Sequence, residues 1–183
     1  MKKVIKAMEE KYLLPALELV ETVFTESECE ENGKLVRSLV EEIRRKRFYL
    51  PELELIMVDD DTDEVIGFAM FSRFHLEGKY EGDLLILTPV AVKTRLQRQH
   101  ISKELIEYGF VKARELGYKA VIVEGNPLNY RSRGFVTSRD YGIIAHESVG
   151  LPAPECLMVK ELVPGGLNGI HGQVSYQDYD ALR

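Results

Sequence analysis

The sequence predicts an α/β domain, α+β by some schemes, in which one sheet is flanked by helices, and three stretches predict it. Residues 53–71 hold two apolar runs joined by the polar turn Asp59-Asp60-Asp61-Thr62-Asp63-Glu64, the pattern of an antiparallel hairpin. Residues 84–124 hold an apolar strand, a long helix with one apolar face and a second apolar strand. That order is a βαβ unit, whose crossover is right-handed. Two amphipathic helical patterns precede both stretches.

Val4-Ile5 opens a short strand. Leu13, Ala16, Leu17, Val20, Val23 and Phe24 then recur with the helical period. Leu35, Val36, Leu39, Val40 and Ile43 do the same in a second helix, predicted from about Gly33 to Arg47. Its end, Arg44-Arg45-Lys46-Arg47, is a basic run where cations suit the helix dipole. A nucleic-acid role for that run fits poorly with a net charge of −6, because phosphate-backbone affinity needs clustered positive charge. Pro51 ends the helical region, and Leu53–Val58 and Val65–Phe71 form the hairpin. A calcium loop counted from Asp59 would need glycine at its sixth position and glutamate at its twelfth. The chain has Glu64 and Met70 there, so the acidic turn reads as a solvated hairpin turn.

Leu84–Val92 is apolar enough to be covered on both faces. Pro89 interrupts it, and with no N–H to give the ladder it makes the strand bulge or part from a neighbour. A parted sheet leaves free backbone groups and a slot. The following loop and helix start, Lys93 to Lys103, carry four Lys or Arg residues and no acid. Ile101, Leu105, Gly109, Ala113 and Leu116 lie on one helical face. Gly109 and Ala113 allow close approach to the sheet, and Gly117 ends the helix as a left-handed C′ residue. Tyr118–Glu124 is the second strand. The helix therefore starts at the basic loop, with its unpaired N–H groups and positive dipole end facing outward, which is a phosphate site.

Gln97-Arg98-Gln99-His100-Ile101-Ser102 resembles the acyl-CoA pyrophosphate loop of the GNAT superfamily of N-acetyltransferases, in which Gln or Arg precedes two small residues at fixed spacing. Tyr130, followed four residues on by Gly134-Phe135, resembles the same family's later motif. The resemblance covers roughly residues 3–162, and Leu162 to Gly169 resembles a bacterial subgroup of small N-acetyltransferases. It implies a GNAT-like mixed, mostly antiparallel central sheet with a splayed parallel pair formed by its fourth and fifth strands and flanking helices. It also implies a domain at 3–162 with a glycine-rich extension, 163–183, packing on it. The activity implied is transfer of an acetyl group from acetyl-CoA to a primary amine of a small molecule or peptide by direct attack.

On this resemblance the pyrophosphate lies on Gln97, Arg98, Gln99, His100, Ile101, Ser102 and Lys103. The pantetheine arm runs along Val90, Ala91 and Val92 like an added strand, with Asn126 at the split. Tyr130 meets the cofactor and gives a proton to the leaving thiolate. Two departures stand out. His100 and Ser102 occupy positions where the family has small loop residues, a change tolerated if the helix start keeps helical φ and ψ. Ile86, Leu87 and Thr88 stand where many members carry a glutamate base, so the general base is not identified. Glu124 is either a base acting through water or an exposed strand-end glutamate. Asn126-Pro127 also reads as a turn into a helix.

Composition narrows the remaining classes. An apolar share of 45% and a charged share of 30% are those of a globular protein, and no window approaches the roughly 18 continuous apolar residues of a membrane span. The segment Met1–Lys6 lacks an apolar signal core, which gives a cytoplasmic expectation. Cys29 and Cys156 read as free thiols, Cys156 in a late strand over 156–162. The four histidines show no metal-ligand spacing, and no metal is assigned. Hydrolase elbows, Walker loops and dinucleotide fingerprints are missing. The expected partners are acetyl-CoA and an amine acceptor, with neither nucleic acid nor membrane, and a homodimer through the late strands is compatible with the pattern. The rival on the same fold is a non-catalytic acyl-CoA binding or sensing domain; a protein-interaction domain that has lost the cofactor is a second.

Overall fold

The computed structural model describes residues 1–183. Its strands are β1 (Lys3–Ala7), β2 (Glu54–Asp59), β3 (Glu64–Arg73), β4 (Leu84–Val92), β5 (Ala120–Glu124), β6 (Val136–Thr137), β7 (Ile143–Ala145), β8 (Leu157–Glu161) and β9 (Gly172–Val174). Seven of them form one sheet in the order β1-β2-β3-β4-β5-β8-β6. Every neighbouring pair is antiparallel except β4 and β5, which are parallel. This is the mixed sheet with a parallel fourth and fifth strand expected above. β7 and β9 form a separate two-stranded parallel sheet.

Strand alternation sends Ile56, Phe68, Met70, Ile86 and Ile122 to one face, where α1 (Glu10–Ser27) and α2 (Glu30–Arg44) cover them. Leu55, Met57, Phe71, Leu85 and Val121 go to the other face, under α3 (Ile101–Glu115). Gly109 makes that second contact close, for a Cβ there would sit 2.1 Å from Phe71 Cε1. Gly117 takes its left-handed φ of 93° as expected. Leu116, by contrast, is exposed, because it lies just past the last turn of α3.

α2 begins three residues before Gly33. Glu30 and Glu31 suit its positive end, and Gly33 lets it cross α1 closely, since a Cβ there would lie 2.5 Å from the Glu21 carbonyl. It also ends at Arg44 and not at Arg47, and cations at and just past its end are paired. Arg44 pairs with the buried Glu54, Lys46 with Glu42 at 2.5 Å and Arg47 with Glu81 at 3.1 Å. Cys156 lies in a short 3₁₀ turn before β8 and not within the strand.

Residues 163–183 run across the face that α1 and α2 leave open. Leu167, Ile170, Val174 and Tyr179 are buried in the same core as those helices. No helix is long and apolar enough to cross a membrane.

Candidate functional site

Pro89 does what its chemistry requires. Ala69 pairs with Val90 and Phe71 with Leu87, so Thr88 and Pro89 together stand opposite Met70 in a bulge. β4 and β5 stay paired only from Leu84–Ala120 to Ile86–Ile122, after which β5 continues with β8 and the two strands part. Lys93 N–H reaches β3 through Ile66 O at 3.0 Å. Strand alternation therefore turns the backbone groups of Val92 and Val90 toward the opposite edge, the one β5 has left. The Gln97 amide takes the Val92 carbonyl at 3.1 Å, which leaves Val90 as the residue with both backbone groups open to the split.

A cavity of about 740 Å³ occupies this split. Its lining includes the expected Val90, Val92, Gln97, Arg98, His100, Ile101, Ser102, Asn126 and Tyr130. Three expected residues lie elsewhere. Ala91 points into the core under α1 and α2, because it alternates with Val90 and Val92. Gln99 is exposed outside the lining, and Lys103 turns toward Glu107 on the next turn at 4.0 Å. Of the other loop cations, Lys93 and Arg95 both pair with Glu64 and line a separate cleft of about 770 Å³ beside α1. The basic loop thus divides its charge, and only Arg98 faces the split.

α3 begins at Ile101 with no side chain capping it. The first intrahelical bond runs from Glu104 N–H to His100 O, so the N–H groups of Ile101, Ser102 and Lys103 have no partner within the helix. The turn leading into it is not helical, contrary to expectation. Arg98 and His100 have φ of 63° and 65°, the left-handed region where glycine is the usual occupant. The glycine-like backbone is kept here without glycine.

Tyr130 belongs to α4 (Pro127–Arg131), a short helix capped by Asn126, whose Oδ1 accepts from Leu128 N–H at 3.0 Å. The turn reading of Asn126-Pro127 therefore holds, with Asn126 also on the cavity wall. Gly125 makes room for the ring, since a Cβ there would lie 2.4 Å from Tyr130 Cε2. Phe135 supports it edge to face, with centroids 5.6 Å apart. Burial raises the phenol pKa above its ordinary value, and the nearby Arg133 charge only partly opposes this. The hydroxyl stays protonated at neutral pH and can donate.

Sequence reasoning did not find the rest of the lining. Val23, Phe24 and Ser27 come from the end of α1, Leu96 and Ile106 from the two sides of the loop, and Asn129 and Arg133 from the Tyr130 segment. Arg133 donates to Ser102 Oγ at 2.6 Å. Its place inside the Tyr130-to-Phe135 motif was the available signal. No carboxylate lines the cavity. Glu124 continues the Ala120–Ile122 alternation onto the α1/α2 face and accepts the Tyr176 hydroxyl at 2.9 Å.

Known proteins share both the sequence pattern and this architecture. Residues 16–141 match the model of the acetyltransferase (GNAT) family. The chain is 28% identical over 127 residues to the uncharacterized N-acetyltransferase YhbS of Escherichia coli (strain K12), a match covering 68% of this chain and 72% of that protein. The crystal structure of Escherichia coli YhbS in complex with CoA aligns with a TM-score of 0.83 at 24% identity, covering 96% of this chain and 90% of that one. A GNAT family acetyltransferase from Brucella melitensis in complex with acetyl-CoA aligns with a TM-score of 0.65 at 23% identity, over 73% and 82% of the two chains.

Proposed function

The chain belongs to the acetyltransferase (GNAT) family, and from that premise we propose that the split between β4 and β5 binds acetyl-CoA and delivers its acetyl group to a primary amine. It is an acyltransferase that uses acetyl-CoA as the donor; the acceptor and the residue roles are our reading. The observation that carries this reading is the geometry of the split. An open strand edge at Val90, the bare N-terminus of α3 and the protonated phenol of Tyr130 meet in one cavity.

The pyrophosphate lies on the free N–H groups of Ile101, Ser102 and Lys103, with Arg98 supplying charge. The pantetheine amides pair with Val90 as a strand would. This carries the thioester toward the bulge. A neutral amine attacks the carbonyl carbon, and a C–N bond forms as the oxygen becomes an oxyanion, which a backbone N–H at the bulge stabilises. The C–S bond then breaks, the sulfur takes the Tyr130 proton, and CoA leaves as the thiol.

The amine must shed a proton, and the cavity wall offers no carboxylate to take it. Extending the Ile86–Ile122 register places Thr88 and Glu124 on opposite lips of the split, both on the α1/α2 face. Glu124, fixed by Tyr176, receives the proton through water. The acceptor enters on this face, bounded by the end of α1 and by residues 163–183.

Thiol release from acetyl-CoA over a panel of primary amines tests the reading. We expect turnover that depends on both the amine and acetyl-CoA. Binding of acetyl-CoA without turnover by any amine would favour a sensing domain on the same fold.

A further inference from the structure

Arg133 occupies an electrostatically unusual position. Its guanidinium donates to Ser102 Oγ at 2.6 Å, to Asn129 O at 2.5 Å and to Ser132 Oγ at 3.1 Å, all neutral oxygens. Its Nε is buried with no partner. Ser102 is the second residue of α3, so a cation is held beside the positive end of a helix, where the dipole disfavours it. No acid lines this cavity to balance the charge. An anion lying between the helix end and the guanidinium resolves the conflict from both sides.

We propose that Arg133 is the second arm of the diphosphate clamp, closing on the CoA pyrophosphate from α4 while the N-terminus of α3 holds it from below. This deepens the acetyl-CoA reading and rests on it. The planar fork of a guanidinium matches phosphate oxygens two at a time. The hydrogen bond to Ser102 holds the guanidinium beside the start of α3, whose first N–H groups the pyrophosphate is proposed to meet. It also gives Ser102 a task at a helix start whose preceding residues Arg98 and His100 hold left-handed backbone without glycine.

The test is calorimetric titration of wild-type, Arg133→Gln and Arg133→Lys proteins with CoA, dephospho-CoA and pantetheine. Losing a charged hydrogen-bond donor weakens binding by about tenfold to a hundredfold. We expect that loss in Arg133→Gln for CoA and dephospho-CoA alike, a smaller loss in Arg133→Lys, and none for pantetheine, which lacks the diphosphate. Unchanged pantetheine binding shows that the split itself is intact. A loss confined to CoA would move the contact to the 3′-phosphate and overturn the assignment. Unchanged CoA affinity in Arg133→Gln would also overturn it while leaving the acetyl-CoA reading standing. A wild-type protein that binds neither nucleotide removes that reading and the clamp with it.

Discussion

The Tyr176 hydroxyl donates to Glu124 Oε1 at 2.9 Å, joining residues 52 apart in the chain. Glu124 ends β5 at the split, and Tyr176 belongs to the segment that wraps back over the α1/α2 face. Burial first, and then the Glu124 carboxylate, raise the Tyr176 phenol well above its ordinary pKa, so it remains a donor throughout the neutral range. The pair fixes one carboxylate on the lip of the split where the acceptor is proposed to enter. Glu124→Gln should lower kcat/KM for an accepted amine by about a hundredfold. Tyr176→Phe should raise KM for the amine while acetyl-CoA affinity stays the same. Steady-state kinetics with both substrates varied measures each effect, and an unaltered kcat/KM in Glu124→Gln would exclude it as the proton acceptor.

On the proposed mechanism, Tyr130→Phe removes the proton that the departing thiolate takes. Turnover should fall by about 10²- to 10⁴-fold. Acetyl-CoA affinity should change little, because the ring still packs on Gly125 and Phe135. Single-turnover thiol release set beside a binding titration separates the two, and full activity would remove Tyr130 from the mechanism.

The end of the chain is latched by Glu42. Its carboxylate accepts Asp180 N–H at 2.9 Å and Ala181 N–H at 3.0 Å and pairs with Lys46 at 2.5 Å. Burial raises the Glu42 pKa, but the bonds from Lys46 and the two backbone groups outweigh it and hold the value below the ordinary 4.5. Because the folded pKa is depressed, the latch contributes fully above the unfolded value and is lost as pH falls through the lower folded one. Hydrogen exchange at Ala181 should be protected at neutral pH and lose protection as pH falls through the depressed folded value of Glu42. Glu42→Gln should exchange faster at neutral pH and lose this acid dependence.

His100→Gly tests the loop. A non-glycine residue at φ 65° carries a backbone cost of about 1 kcal/mol, and His100 lines the cavity at the proposed phosphate cradle. CoA affinity should rise a few-fold or hold in His100→Gly, as a titration would show. A fall of tenfold or more would mean that the imidazole itself contacts the ligand.

Much of the fold was legible because single residues carry it. Pro89 announced the bulge, Gly109 the close approach of α3 to Phe71, and Gly117 the helix end. The site was only half legible. Loop spacing located the cavity, yet four cations in a stretch without acid could not reveal that Lys93 and Arg95 turn away to Glu64 or that Lys103 turns to Glu107. His100 was expected in helical conformation and is left-handed, because the turn into α3 and not the residue decides φ there. Val23, Phe24 and Ser27 reach the cavity from α1, and Arg133 meets Ser102 across 31 residues. Such contacts follow from tertiary packing, which local periodicity does not encode.

The central claim is that the split between β4 and β5 is an acetyl-CoA site whose N-terminal α3 groups hold the diphosphate. Calorimetric titration with acetyl-CoA, with S-acetylpantetheine as the diphosphate-free control, tests it most directly. We predict saturable binding of one acetyl-CoA per chain and much weaker binding of the control. Equal affinity for the two would contradict the phosphate cradle, and no binding of acetyl-CoA would contradict the assignment of the site.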